Sequence, residues 1–126
     1  MNLKILIIDD EDALRSVISH RLILEGYDVD TAAHGREGIA RCAISHPDIV
    51  ITDLLMPEMD GLEVIRTLKA SPHPPLIIAM SGGGSRGMDF LIEAAEFGAV
   101  RTLSKPFTLD YLVFLINELR TVHLLI

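Results

Sequence analysis

Acidic residues follow two of the aliphatic runs in the sequence. Asp9, Asp10, Glu11 and Asp12 come directly after the run in "LKILIIDDEDALR", and Asp53 follows the run in "IVITDLLMPEMDGL". Carboxylates that are packed together repel one another and lose hydration, so a chain that gathers them needs a cation to compensate the charge. Carboxylate oxygens suit Mg²⁺, which keeps part of its water shell. We therefore expect Asp9, Asp10 and Asp53 to hold a divalent metal if the fold brings them together.

A hydroxyl and an ammonium group follow two further aliphatic runs. Ser81 opens the segment "SGGGSRG", and Lys105 lies in "TLSKPF". A metal and a lysine can neutralise the oxygens of a transferring phosphoryl group, while a hydroxyl donates a hydrogen bond to them. In such a site Asp53 would be the nucleophile that becomes an aspartyl phosphate. The five residue positions together indicate a phosphoryl-transfer site.

The elements that must position these residues alternate along the chain. Short aliphatic runs predict strands at residues 3–8, 27–32, 48–52, 76–80 and 100–104, and helical periodicity predicts helices at residues 13–25, 37–45, 61–70, 88–97 and 108–120. Alternating units with apolar strands indicate a parallel sheet covered by helices on both faces. The second strand alternates apolar and acidic residues, which suits a sheet edge. We expect an α/β fold, a flavodoxin-like doubly wound (βα)5 sandwich with strand order 2-1-3-4-5.

This strand order predicts where the site lies. In such sheets the ligand crevice lies beyond the carboxyl ends of the strands, where the winding reverses between the first and third strands. Glu11 or Asp12 could instead cap the first helix, but Asp9 and Asp10 come too early for that role. We expect the glycines after Ser81 to form a mobile loop that lets the hydroxyl move, rather than an anion-binding nest.

The composition of the chain argues against several classes of function. The 126 residues carry a formal net charge of -7, which argues against direct binding to nucleic acid or an anionic membrane surface. No apolar run reaches the roughly 18 residues of a spanning helix, so we expect no membrane insertion. The single cysteine, Cys42, fits a small core residue and cannot form an intrachain disulfide. The apolar start of the chain, residues 1–8, is too short for a signal peptide and runs into acids, so we expect a reduced, cytoplasmic protein. No linker or repeat divides the chain, which predicts one domain over residues 1–126. Arg15 is expected to be solvated.

Taken in order, the pair Asp9-Asp10, Asp53 followed by "MPEMDG", Ser81, and Lys105 in "KPF" resemble the receiver domain of two-component response regulators, the CheY-like superfamily. The resemblance covers essentially the full chain. It implies a phosphoacceptor that takes a phosphoryl group from a histidine kinase or a histidine phosphotransfer protein. It also implies a downstream effector protein or output domain as the recipient of the signal. Such a domain is not an enzyme, apart from self-phosphorylation by small donors and self-dephosphorylation.

The resemblance also implies individual roles. Asp53 would be the phosphoacceptor, Asp10 a direct Mg²⁺ ligand together with Asp53 and the backbone carbonyl of Leu55, and Asp9 an outer ligand. Ser81 would be the hydroxyl that moves to the phosphoryl group, and Lys105 would be its charge partner. A cis peptide bond between Lys105 and Pro106 is implied as well.

Three alternatives stay open from the sequence. A receiver that has become only an interaction scaffold would need the same fold. A phosphatase of the haloacid dehalogenase type would place its nucleophile and a second acid two residues apart after the first strand, whereas Asp9 and Asp10 are adjacent. A flavodoxin would need a phosphate-binding loop where this chain has four acids.

Two features depart from the usual receiver pattern. Thr102 lies three positions before Lys105, where the family usually has an aromatic residue that follows the movement of the hydroxyl. The C-terminal helix needs only one apolar stripe, and its surplus apolar residues either extend the core or form a patch for a partner or a second copy, giving a homodimer. These surplus residues are Tyr111, Phe114, Leu115, Val122, Leu124, Leu125 and Ile126.

Overall fold

A computed structural model describes residues 2–82 and 84–124 of the chain. Strands and α-helices alternate along it, and a short π-helical turn, Arg120–Leu124, follows the last helix. The strands are β1 Lys4–Ile8, β2 Asp28–Ala32, β3 Ile49–Asp53, β4 Leu76–Ser81 and β5 Arg101–Ser104. The helices are α1 Asp12–Leu24, α2 Gly35–Ser45, α3 Gly61–Lys69, α4 Gly84–Phe97 and α5 Leu109–Leu119. The sheet is parallel, with order β2-β1-β3-β4-β5, which confirms the predicted flavodoxin-like fold.

The sheet is buried on both faces. Successive residues of a strand point to opposite faces, so the apolar runs divide between two cores. The face covered by α1 and α5 buries side chains such as Ile7, Ile51 and Met80. The face covered by α2, α3 and α4 buries side chains such as Leu6, Val50 and Ala79. Burial on both faces explains why β1, β3 and β4 are apolar without alternation.

Strand register brings the carboxyl ends of the strands to one level. Ile8 of β1 pairs with Thr52 of β3, so the residue after each of them is an aspartate, Asp9 or Asp53. On the other side of β3, Ser81 of β4 pairs with Ser104 of β5, and Lys105 follows it. The chemistry-bearing side chains therefore lie at the same edge of the sheet.

The starts of α1 and α4 lie next to the candidate site residues. Glu11 is the N-cap residue of α1, but its side chain accepts no hydrogen bond there, and Asp12 is already the first helical residue. Helix α4 begins at Gly84, four residues before the predicted start at position 88. The part of "SGGGSRG" from Gly84 onward is therefore helical rather than a loop. A glycine-rich sequence has low intrinsic helix propensity, so local preference alone does not reveal this turn.

The surplus apolar residues of the C-terminal segment are partly buried in the core and partly exposed. Leu115 is buried and extends the core, which is the first of the two alternatives for these residues. Tyr111, Phe114 and Val122 are exposed, and the rings of Tyr111 and Phe114 stack 6.3 Å apart. Leu125 and Ile126 lie outside the described residues. Within residues 2–82 and 84–124, none of the helices has the length and apolar character that crossing a membrane requires.

Candidate functional site

Three carboxylates meet beyond the ends of β1 and β3. Oxygen atoms of Asp9, Asp10 and Asp53 all lie within 4.8 Å of one another. Asp9 and Asp53 are buried, whereas Asp10 is exposed. Across residues 2–82 and 84–124, no other group of three acidic, histidine or cysteine side chains comes close enough to hold a metal. The convergence predicted from strand order is therefore present.

Hydrogen bonds hold both the backbone and the side chain of Asp9. Its backbone N–H donates to the carbonyl of Ala32 at 3.2 Å. Its Oδ1 accepts a hydrogen bond from the backbone N–H of Glu11 at 2.9 Å, and its Oδ2 lies 3.3 Å from Lys105 Nζ. Because both carboxylate oxygens already have protein partners, Asp9 is fixed in place more firmly than the exposed Asp10.

Arg15 belongs to this site, although the sequence predicted a solvated side chain. Its guanidinium donates to the backbone carbonyl of Asp9 at 2.7 Å and pairs with Asp12 at 2.6 Å. Only 19% of the side chain is exposed. The expectation is wrong because the first turn of α1 folds the arginine back over the preceding acids. The spacing of Asp12 and Arg15, three residues apart on a helix, was the available signal for this contact.

Asp53 is a buried carboxylate with a perturbed pKa. Burial raises the pKa of Asp53 from its ordinary value of 3.8 to about 6 and outweighs the opposing effect of the Lys105 ammonium. The charge of Asp9 raises the pKa further, while the backbone N–H groups of Leu54 and Leu55 lower it. The Leu54 N–H donates to Asp53 Oδ1 at 2.9 Å. At neutral pH the group is therefore mostly an anion, although its burial makes the charged form less favourable than it is in water.

Lys105 places a cation beside two of the three acids. Its Nζ lies 3.3 Å from Asp9 Oδ2 and 3.5 Å from Asp53 Oδ2, and 21% of the side chain is exposed. Its backbone N–H donates to the carbonyl of Ser81 at 2.7 Å, which joins the ends of β4 and β5. The Lys105–Pro106 peptide bond is cis, as the resemblance implied.

Ser81 is buried with an unused hydroxyl. The residue ends β4 and is fully buried, and its Oγ has no hydrogen-bond partner among residues 2–82 and 84–124. A buried polar atom without a partner costs about 1–3 kcal/mol, and such atoms are few in folded proteins. The hydroxyl therefore has unused hydrogen-bonding capacity at the edge where the acids and the lysine meet.

The loop between β3 and α3, residues 54–60, follows Asp53 directly. Leu55 is exposed on it, and Met56 and Met59 are half-buried against the core, which agrees with a packing role. Glu58 has a φ of 68°, and the Met59 N–H donates to the carbonyl of Pro57 at 2.8 Å, which closes a γ-turn. A non-glycine residue at positive φ stores strain, and such strain clusters at functional sites.

Comparison with known proteins agrees with this arrangement. The family model described as the response regulator receiver domain matches residues 5–117. The chain belongs to this family. A receiver domain is the phosphoacceptor of a two-component signalling pathway, and the fold and the clustered acids match that role.

Two relatives and one solved structure show how far the similarity extends. The receiver domain is 34% identical over 110 residues to sporulation initiation phosphotransferase F of Bacillus subtilis, with 87% of each chain covered. It is 34% identical to regulatory protein AtoC of Escherichia coli, covering 91% of this chain and 24% of that protein. A receiver domain protein from Clostridium thermocellum superposes with a TM-score of 0.86 at 34% identity, covering 98% of this chain and 99% of that one.

The length of the relatives varies. The chain spans less than half of most of the curated relatives that it matches, including the response regulator MprA of Mycolicibacterium vanbaalenii, of which it covers 48%. It spans most of the sporulation phosphotransferase. What is common to all of them is the receiver domain, and the roles of individual residues here stay predictions.

Proposed function

We propose that this receiver domain accepts a phosphoryl group on Asp53 in the presence of Mg²⁺. The observation that carries the proposal is the buried Asp53 carboxylate, whose Oδ2 faces the Lys105 ammonium at 3.5 Å and whose other neighbours are Asp9 and Asp10. The donor would be a histidine kinase or a histidine phosphotransfer protein. Small donors such as acetyl phosphate would serve in its place.

Asp53 is suited to be the nucleophile. A carboxylate attacks phosphorus only in its anionic form, and a pKa of about 6 leaves that form predominant at neutral pH. Burial strips water from the anion, and the Leu54 N–H fixes the orientation of the group through Oδ1. The site therefore presents a desolvated, oriented carboxylate to an incoming phosphoryl group.

Lys105 and Ser81 are suited to hold the phosphoryl oxygens. Lys105 Nζ now contacts two carboxylates, and phosphorylation of Asp53 would give it phosphoryl oxygens as new partners. The Ser81 Oγ–H is free to donate to a second oxygen, which would satisfy its unused hydrogen-bonding capacity. Both interactions exist only when phosphoryl is present, so both favour the phosphorylated state.

The residues present fit a magnesium ion. Hard carboxylate oxygens within 4.8 Å of one another are the ligands that Mg²⁺ prefers. We propose Asp10, Asp53 and the backbone carbonyl of Leu55 as direct ligands and Asp9 as an outer one. The exposure of Asp10 and the engagement of both Asp9 oxygens support this division. When bound, the ion would neutralise oxygens of the transferring phosphoryl group.

Partners follow from the same proposal. The signal would pass to a downstream effector protein or an output domain, and relatives named as transcriptional regulators are more than twice the length of the matched segment. The exposed residues Tyr111, Phe114 and Val122 of the C-terminal segment support contact with such a partner or with a second copy. The cytoplasmic location stays a prediction.

Mass spectrometry of the intact protein tests the proposal. Acetyl phosphate with Mg²⁺ should add one phosphoryl group to the wild-type protein, and EDTA should prevent the addition. Asp53→Asn should abolish it, whereas Asp89→Asn, which changes an exposed acid on α4, should leave it intact. Labelling that persists in Asp53→Asn would place the acceptor elsewhere. A wild-type protein that takes no label from acetyl phosphate or from a kinase would favour the scaffold alternative.

A further inference from the structure

The first turn of α4 lies directly against the end of β4. A Cβ atom placed on Gly87 would be 1.9 Å from the carbonyl oxygen of Gly82 and 3.4 Å from Ser81 Oγ. Carbon and oxygen atoms do not approach to 1.9 Å, so any side chain at position 87 would force the backbone to shift. At Gly87 the helix thus contacts the residue after Ser81 through backbone atoms.

The neighbouring positions do not share this restriction. A Cβ atom on Gly82 would meet nothing within 4 Å, although Gly82 lies on the same connection. Thr102 of β5 is exposed and pairs with Ala79, two residues before Ser81. Of these two glycines, Gly87 is therefore the one that leaves no room for a side chain next to the Ser81–Gly82 backbone.

We propose that Gly87 is a positioning residue that couples Ser81 to α4. The inference rests on the proposed function, in which the Ser81 hydroxyl moves toward a phosphoryl group on Asp53. That movement carries the adjoining Gly82 carbonyl with it, and this carbonyl lies against the backbone of α4. Because close-packed groups transmit displacement and no side chain can rotate away at position 87, the first turn of α4 must follow.

The coupling gives this chain a route for the signal that does not need a large side chain at position 102. A phosphoryl group can bias the protein only through contacts that differ between two states. The Ser81 hydroxyl and the contact between Gly82 and Gly87 form a continuous path from the phosphorylation site to the surface of α4. Exposed Met88 and Ile92 on that helix would change position with it.

A pair of alanine variants tests the coupling. Amide hydrogen exchange is measured with Mg²⁺ alone and with Mg²⁺ and beryllium fluoride, which imitates the phosphoryl group. In the wild-type protein and in Gly82→Ala, beryllium fluoride should change exchange in residues 84–90. Gly87→Ala should lose that change, because its methyl group displaces the Gly82 carbonyl before any ligand binds. The shift of the thermal midpoint by Mg²⁺ alone should be the same in all three proteins, because the acids are unaltered.

The outcomes separate this inference from the proposed function. A change in residues 84–90 that is as large in Gly87→Ala as in Gly82→Ala would overturn the coupling while leaving the phosphorylation of Asp53 intact. A wild-type protein that neither takes up phosphoryl nor responds to beryllium fluoride would overturn the proposed function itself. Circular dichroism establishes whether Gly87→Ala folds. If the variant does not fold, the coupling is tested in the wild-type protein alone. A change in amide exchange on adding beryllium fluoride that is centred on residues 100–104 instead of 84–90 would refute the coupling.

Discussion

Replacing Asp53 with asparagine should stabilise the metal-free protein at neutral pH. Burial raises the pKa of Asp53 from 3.8 to about 6, which means that folding disfavours the charged form. A rise of this size corresponds to ~3 kcal/mol of destabilisation once the group is ionised in both states. The side chain is only 8% exposed, so solvent screening removes little of this effect. For a domain of this length the gain corresponds to roughly 10 °C in the thermal midpoint.

The sign of the pH dependence follows from the same values. Because the folded pKa of Asp53 lies above the unfolded one, the folded state binds a proton more readily than the unfolded state. The destabilisation is absent below the unfolded pKa of 3.8, grows as the pH rises, and is complete above the folded pKa of about 6. The difference in stability between Asp53→Asn and the wild type should therefore be large at neutral pH and shrink toward acid pH.

Urea denaturation in EDTA, repeated at several pH values from about 4 to about 7, measures this difference. Asp28→Asn is the matched control, because it replaces an exposed carboxylate at the start of β2. Its stability difference from the wild type should stay small across the same range. If Asp53→Asn were no more stable than the wild type at neutral pH, or if its advantage did not depend on pH, the reasoning from burial would fail.

Three further variants separate the charges of the site. Asp10→Asn should change the unfolding free energy of the metal-free protein by less than about 0.5 kcal/mol, since Asp10 is exposed. The same variant should lose most of the thermal stabilisation by Mg²⁺, and retention of that stabilisation would contradict the role of Asp10 as a ligand. Lys105→Ala should destabilise the metal-free protein at neutral pH by about 3 kcal/mol, because two buried carboxylates lose their cation, and should raise the pKa of Asp53 further. An unchanged urea midpoint would count against the pairing. Arg15→Ala should cost about 1–2 kcal/mol through the lost hydrogen bond to the Asp9 carbonyl, measured by urea denaturation, whereas a loss below about 0.3 kcal/mol would show that the contact is dispensable.

The linear pattern of side chains already determined the architecture. Strands that are buried on both faces must be apolar throughout, so β1, β3 and β4 are visible as aliphatic runs, and the alternation in β2 identifies the edge strand. Parallel strands joined by helices place their carboxyl ends at one edge of the sheet. The position of Asp9, Asp53, Ser81 and Lys105 at the ends of such runs was therefore enough to predict that they meet.

Only the tertiary structure decided how these groups contact one another. The pKa of Asp53 depends on burial by residues distant in sequence and on a lysine that lies 52 positions further along the chain. Periodicity reports which side of a helix faces the core, but it does not report how closely the backbone of one element approaches another. The contact of Gly87 with Gly82 and the contact of Arg15 with the Asp9 carbonyl are approaches of this kind. Such distances are set by the packing of the whole domain, because each depends on where helices and strands come to rest against each other.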